Sequence, residues 1–436
     1  MEKSENENQF SYQEQIAILL YKTSNKKVHY ETYVLTQINT DLEYKYEYHQ
    51  KTFEFLVKRH ENLRAYFKFN EKMDTYERVY DNDYVPKALP LIILNENATD
   101  ENIERIFLEH YDKNYSIEKL PGIKVCFIRA PNGLFSVIRG HHCYLEVETA
   151  KILHREGLNL YAKIFNSAGN ITYEEAIKDL PILPSYIGFV DELNSNLKRN
   201  SLRIADQLRN ALKNYREGDK ANAAYVGTEY FQNKFRVDLT KNGIDKFLTK
   251  VRVRPHQLFK AAYQICISKI LGTNIPLIFN VNSRRNSKWK NNVLCNLKNH
   301  PFYVEVDEGR TLEEQIKHNE EKNKEILKVW GPLDAYLCQA NTSETFPVSQ
   351  YVFNFVYNDE EQLVFRPDLR KETQIDSNYP MNIYFEVYYR PGEWANFFFI
   401  SKLISVSEEN TKKMKSLLMN IIENIECFWE KQIQEF

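Results

Sequence analysis

LFSVIRGHHCYLEVETAKILHREGLNLY, residues 134–161, decides the fold. Its opening, Leu134–Arg139, is β-rich and follows a similar run, Lys124–Ala130, across the turn Pro131-Asn132-Gly133. Two such runs around a turn of that composition predict a hairpin. The second run leads straight into Gly140-His141-His142. Beyond the histidines, Ala150, Leu153, Leu160, Tyr161 and Ile164 recur at helical spacing and mark one face of a long helix. The pair of histidines therefore sits where a strand ends and a helix soon begins.

Toward the N-terminus, residues 1–10 read as disordered, and Ile16, Leu19 and Leu20 predict a short helix over 11–21. Leu42, Tyr46, Phe53, Leu56, Val57 and Leu63 follow near-helical spacing. Tyr66–Phe69 and Tyr76–Tyr80 read as strands, and residues 100–112 as a further helix. Residues 168–200 read as irregular, because Pro181 and Pro184 oppose a continuing helix. The boundary between two lobes is placed here, giving an N-terminal lobe over residues 1–175 and a C-terminal lobe over 176–436.

The second half repeats the mixture of strands and helices. Pro255 suits a first helical position, Leu258 to Leu271 form an apolar stripe, and Gly272 ends it. Strands are expected at Ile275–Val281, Phe302–Val306 and Tyr351–Val356, and a charged helix at Glu313–Lys328. Met414, Leu417, Leu418, Ile421, Ile422, Ile425 and Phe428 predict a last amphipathic helix. Val251-Arg252-Val253-Arg254 alternates as a half-exposed strand would.

Composition bounds the function. The 436 residues suit two or three domains, and 26 Phe with 29 Tyr supply bulk for their cores. Only 13 glycines are present, so Gly-rich phosphate loops are not expected. A net charge of -2 argues against broad nucleic-acid binding. No run of apolar residues is long enough to span a membrane, and the polar start MEKSENENQF lacks a signal core, so the expected location is the cytosol. The six cysteines form no CxxC pair; they read as reduced, mostly buried thiols, and no metal site is expected.

Three stretches resemble condensation domains of non-ribosomal peptide synthesis. Ser11-Tyr12-Gln13-Glu14-Gln15 resembles the family's opening motif. Arg59-His60-Glu61-Asn62-Leu63-Arg64-Ala65-Tyr66-Phe67 departs from the family's Arg-His-Glu-x-Leu-Arg-Thr-x-Phe only at Ala65. His141-His142-Cys143-Tyr144-Leu145-Glu146-Val147 resembles His-His-x-x-x-Asp-Gly, with Glu146 for Asp and Val147 for Gly. Weaker matches follow at Ser283-Arg284, Asn296 and Gln350–Asn354. The resemblance spans nearly the whole chain. It implies a mixed α/β (α+β) fold of two chloramphenicol acetyltransferase-like lobes in a pseudo-dimeric V shape around a central tunnel. It also implies a free-standing acyltransferase. That enzyme would move an acyl or aminoacyl group from a carrier-protein thioester to an amine or hydroxyl, in specialised metabolite assembly. No bound cofactor is expected; the donor would arrive on the phosphopantetheine arm of a carrier protein acting in trans, or on coenzyme A.

Within that resemblance His142 stands at the reacting centre, handling the proton as a base or positioning the nucleophile, and imidazole suits proton handling because it titrates near neutrality. Neighbours at a strand end point to opposite sides, so one histidine faces the tunnel and the resemblance selects His142. His141 becomes a packed, hydrogen-bonded partner. Glu146 would pair with Arg284, or with its neighbour Arg285, to fix the histidine loop. Asn296 and Asn354 are candidates for the tunnel lining. Cys143 reads as buried and inert. A valine where positive φ is required is an outlier, so Val147 is expected to alter the turn or narrow the tunnel. The alternative reading is a non-catalytic module that binds carrier proteins or recruits a partner enzyme, favoured by Glu146 and Val147. A related enzyme using coenzyme A is a third.

Overall fold

The turn at Pro131-Asn132 closes a two-residue hairpin in which Ala130 faces Gly133. Gly133 has φ +141°, a conformation that side chains with a Cβ rarely adopt, so the glycine is required for closure. The computed structural model describes residues 10, 11, 14, 18, 31–38, 42–72, 75–99, 102, 103, 106, 116–141, 143–211, 213, 230–282, 285–294, 296–330, 351–357, 363–365, 383–402 and 406–436.

In chain order the first elements are β1 (Glu31–Gln37), α1 (Tyr46–Arg59), β2 (Ala65–Asn70), β3 (Thr75–Tyr80) and β4 (Leu91–Ile93). Then come β5 (Ile123–Ala130), β6 (Gly133–His141), α2 (Val147–Asn166), α3 (Tyr173–Ile177) and α4 (Tyr186–Ala211). The later elements are β7 (Tyr230–Asp238), α5 (Pro255–Leu271), β8 (Leu277–Asn282), β9 (Lys298–Tyr303) and α6 (Leu312–Trp330). The chain finishes with β10 (Tyr351–Tyr357), β11 (Leu363–Phe365), β12 (Ile383–Arg390), β13 (Trp394–Lys402) and α7 (Glu408–Glu423).

Two compact units divide these elements. The first comprises residues 1–194, 283–297 and 360–374; the second comprises 195–282, 298–359 and 375–436. The first unit holds a five-stranded sheet in the order β11-β1-β6-β5-β4 and the hairpin β2-β3. Helices α1 and α2 pack together beside it. Leu153, Leu160, Tyr161 and Ile164, the stripe expected from the sequence, are all buried on α2. The Tyr161 hydroxyl donates to Glu43 O at 2.6 Å and accepts from Lys45 N–H at 2.8 Å, which ties α2 to the start of α1.

Residues 168–200 are not irregular throughout. The prolines lie in the loop ahead of α4, and the helix then runs uninterrupted from Tyr186. Tyr186, Phe189, Val190, Leu193 and Leu197 give it a buried stripe at helical spacing. Burial of that stripe outweighs the proline signal, which governs only its own two positions.

The second unit holds a six-stranded sheet, β7-β13-β12-β10-β8-β9, in which β10 runs parallel to both of its neighbours. Its core is aromatic. On α5, Phe259 meets Phe397 at 5.3 Å between ring centroids, and Tyr263 meets Phe385 at 4.9 Å. Gly272 caps α5 with φ +70°. Val251-Arg252-Val253-Arg254 is not a strand: Val251 ends a helix, and Arg252 takes the left-handed conformation as its C-cap. A run of four alternating residues is too short to separate a strand from a helix end. The strand expected at 302–306 lies earlier, at β9. The last amphipathic stretch breaks at Asn424 into α7 and a short turn, Ile425–Phe428. Of the helices expected at 11–21 and 100–112, residues 14, 18, 102, 103 and 106 are helical, and the rest lie outside the described residues. Among the described residues no helix is long and apolar enough to cross a membrane.

Candidate active site

Arg59-His60-Glu61-Asn62-Leu63-Arg64 closes α1 with paired polar groups. Arg59 Nε donates to Glu156 Oε2 at 2.8 Å, and His60 Nε2 lies 3.0 Å from the same oxygen. Burial raises the Glu156 pKa, but the hydrogen bonds and charges of His60 and Arg59 outweigh it and hold the carboxyl below its ordinary value. Burial lowers the pKa of His60. Glu61 accepts from the Tyr186 N–H at the start of α4. Arg64 donates to the Val57 carbonyl at 2.6 Å, near the C-terminus of α1.

The opening motif joins this layer. Ser11 N–H donates to Glu14 Oε2 at 2.7 Å, and Glu14 N–H donates to Ser11 Oγ at 3.4 Å, a reciprocal capping box. Glu14 is fully buried, paired with Arg78 and hydrogen-bonded by the Tyr186 hydroxyl. Arg78 also donates to Asn62 Oδ1, and its guanidinium lies 3.9 Å from the Tyr186 ring centroid. Arg78 thus links the two signatures 11–15 and 59–67. Sequence reasoning missed it, because an arginine in an alternating strand carries no mark of burial.

Phe67, at the end of the second signature, meets Tyr144 of the histidine segment at 5.9 Å between ring centroids. His141 ends β6 fully buried, paired in register with Glu31. The N–H groups of Tyr144 and Leu145 both donate to the His141 carbonyl, at 2.8 and 3.0 Å. The chain reverses tightly because Gly140 allows it. A Cβ at 140 would lie 2.8 Å from Ile123 Cγ2, 3.1 Å from Leu145 Cβ and 3.3 Å from the Gly122 carbonyl. Gly122 admits the Tyr144 ring equally closely; a Cβ there would lie 2.9 Å from three ring atoms.

His141 Nδ1 lies 2.9 Å from Cys143 Sγ, and the Cys143 N–H also reaches it at 3.4 Å. The thiol is fully buried, and burial pushes its pKa far up against the opposing charge of Arg78. Cys143 therefore stays a thiol, donates to Nδ1, and leaves the ring proton of neutral His141 on Nε2.

Glu146 is the N-cap residue of α2, but its side chain makes no capping bond. Its carboxylate turns to Arg285. Arg285 Nε donates to Glu146 Oε1 at 3.1 Å, and Nη2 donates to the same oxygen. Nη2 also reaches Thr149 Oγ1 at 2.9 Å and the Leu294 carbonyl at 2.7 Å, and Nη1 reaches the Asn292 carbonyl. Thr149 Oγ1 in turn donates to Leu294 O at 2.8 Å. The side chains of Arg285 and Glu146 are 5% and 1% exposed, so the pair is desolvated. Burial dominates and raises the Glu146 pKa above its ordinary value, although Arg285 and a backbone hydrogen bond from Asn296 pull it down. Segment 285–294 thereby clamps the beginning of α2.

Val147 does not strain the turn. It is the first residue of α2, and the non-glycine residues with positive φ are Ala168 and Arg252 among the described residues. Glu146, in extended conformation, makes the change of direction, so no left-handed residue is needed at 147.

His142 and Arg284 lie outside the described residues. Asn296 joins the Glu146 clamp in the first unit. Asn354 stands elsewhere, on β10 of the second unit, where Nδ2 donates to Glu386 Oε1 at 2.6 Å. No cluster of His, Cys, Asp and Glu is arranged to hold a metal ion among the described residues.

The family model described as Condensation domain matches residues 10–387. No curated protein matches the chain. The first condensation domain of the calcium-dependent antibiotic synthetase, solved with substrate analogue 3a, has TM-score 0.76 at 10% identity, covering 99% of each chain. The epimerization domain from the third module of tyrocidine synthetase B has TM-score 0.69 at 14% identity, covering 94% of this chain and 96% of that one. A mutant starter condensation domain of rhizomide synthetase RzmA, in complex with C8-CoA and Leu-SNAC, has TM-score 0.72 at 10% identity, covering 97% and 95%. At these identities the likeness carries the fold, a doubled chloramphenicol acetyltransferase-like α/β architecture. An epimerization domain among such structures shows that the fold alone does not name a reaction.

Proposed function

This chain belongs to the condensation domain family, whose members carry out acyl transfer in non-ribosomal peptide-type biosynthesis, and from that premise we propose that it is itself an acyltransferase. The donor is an acyl or aminoacyl thioester on a phosphopantetheine arm, delivered by a carrier protein in trans or as coenzyme A. The acceptor is an amine or a hydroxyl. Its nucleophilic atom attacks the thioester carbonyl, the C–S bond breaks, and the acceptor's proton passes to the departing thiolate. His142 takes that proton during attack. Holding both reactants in one site supplies much of the remaining acceleration, up to roughly 7–11 kcal/mol.

The observation that carries this reading is the Arg285–Glu146 clamp together with the buried His141. Each fixes one end of the segment containing position 142. A loop held from both sides is what a catalytic imidazole needs, since misplacement by about 1 Å costs on the order of a hundredfold in rate. The alternative, a non-catalytic module, drew on Glu146 and Val147. With Val147 helical and Glu146 paired, the start of α2 keeps both its first turn and its clamp.

Purified protein incubated with acyl-carrier thioesters and a panel of amines and alcohols tests this. Product by mass spectrometry is expected, falling about 10²–10⁴-fold in His142→Ala with the unfolding midpoint unchanged. A rate within threefold of wild type in His142→Ala would remove the residue's role. Carrier binding without product for any pair would favour the module.

A further inference from the structure

Strand β12 presents Phe385 to α5, and side chains alternate along a strand, so Tyr384, Glu386 and Tyr388 point to the opposite face of the sheet. Glu386 is only 2% exposed. Its Oε1 accepts from Asn354 Nδ2 at 2.6 Å and from the Tyr384 hydroxyl at 3.2 Å. Its Oε2 has no hydrogen-bond partner, and no ion pair reaches the carboxylate among the described residues. Asn354 Nδ2 is shared with the Tyr384 oxygen at 3.2 Å, while its carbonyl oxygen accepts nothing among the described residues. Asn354 and Tyr384 are both only half-buried, so the polar rim above the carboxylate meets solvent.

The unused hydrogen-bonding capacity here is of one kind. Glu386 Oε2 and Asn354 Oδ1 are both acceptors, and no counter-ion stands beside the carboxylate among the described residues. A carboxylate taken out of water needs a cation and hydrogen-bond donors together. A primary ammonium supplies one charge and three N–H donors on a compact centre. We propose that Glu386, Asn354 and Tyr384 form a binding site for the ammonium of a primary amine.

Lys234 is tested as a counter-ion because of its backbone position in the sheet. In the row of strand partners containing Glu386, Phe398 follows and then Lys234. That places the Lys234 backbone two inter-strand spacings, about 10 Å, from Glu386.

Equilibrium binding without any donor thioester tests the site on the full chain. The probes are a panel of aminoacyl N-acetylcysteamine thioesters and their 2-hydroxyacyl counterparts. Wild type is expected to bind at least one aminoacyl probe more than tenfold more tightly than its hydroxy partner. Glu386→Gln, which keeps an acceptor for Asn354 and Tyr384, is expected to bring the two within twofold. Tyr384→Phe, a milder change, is expected to narrow the preference without abolishing it. Absence of a wild-type preference across the panel, or its survival in Glu386→Gln, overturns the proposal. So does a preference that appears only in Lys234→Met, which would make Lys234 the resident cation. Amine binding without acyl transfer would sink the transfer reading and leave the site.

Discussion

Arg285→Met removes the cation that Glu146 faces and keeps most of the apolar volume. Five hydrogen bonds go with it, to Glu146 twice, Thr149, Asn292 and Leu294. Glu146 stays 1% exposed with its charge uncompensated. Breaking a buried pair from one side costs about 3–5 kcal/mol. At roughly 2–4 °C per kcal/mol for a unit of this size, the midpoint of the first unit should fall by about 10 °C. Glu146→Gln keeps shape and hydrogen bonding, so its cost should be smaller, and the double variant should lose about 2–3 kcal/mol less than the sum of the singles. The assay is urea unfolding of fluorotryptophan-labelled protein. Trp289 is the one tryptophan of the first unit, and it packs on Phe189 at 5.5 Å. Its resonance therefore reports that unit. A loss under about 1 kcal/mol in Arg285→Met, or a larger one in Arg284→Met, would refute the assignment of the clamp.

Two further outcomes follow from neighbouring geometry. His49 lies 4.1 Å from Tyr161 and 4.9 Å from Tyr44 between ring centroids, and burial lowers its pKa from 6.5 to about 4. The unfolded chain then binds the proton first as pH falls below 6.5, so stability from this group is complete above that pH and drains away toward pH 4. Between pH 7 and 5 His49→Phe should lose about 2 kcal/mol less than wild type, and parallel urea midpoints for the two would contradict this. Gly140→Ala should destabilise by about 1–3 kcal/mol through overpacking, because Ile123 and the Gly122 carbonyl crowd the new methyl; a midpoint equal to wild type would show that the turn yields freely.

Local signals carried much of this from sequence. The β5–β6 hairpin, the stripe of α2 and the Pro255 start of α5 are written within windows of a few turns, and the structure places them close to where periodicity does. Family-level likeness located the His-His segment and its acidic partner. What stayed illegible was long-range. Seeing that Arg285 reaches Glu146 takes the fold of a segment 139 residues away, and two adjacent arginines read alike. Helix α4 was hidden by prolines that merely precede it. Glu386 was hidden by its neighbours: Ile383–Arg390 reads as a near-continuous apolar run, and only the sheet separates its faces. The clash-free helix start at Val147 could not be seen, since a motif fixes residue identity and not φ.

Arg285 and β11 reach the first unit only after the chain has laid down much of the second, since that unit is assembled from residues 1–194, 283–297 and 360–374. A ribosome must therefore deliver position 285 before Glu146 gains its counter-charge, and position 365 before the five-stranded sheet gains its last edge. No single cut can liberate that half intact. Truncation after residue 194 would yield a fragment carrying both histidines but stripped of the guanidinium that pairs with Glu146, and complementation by a split chain would have to return two separate ribbons at once.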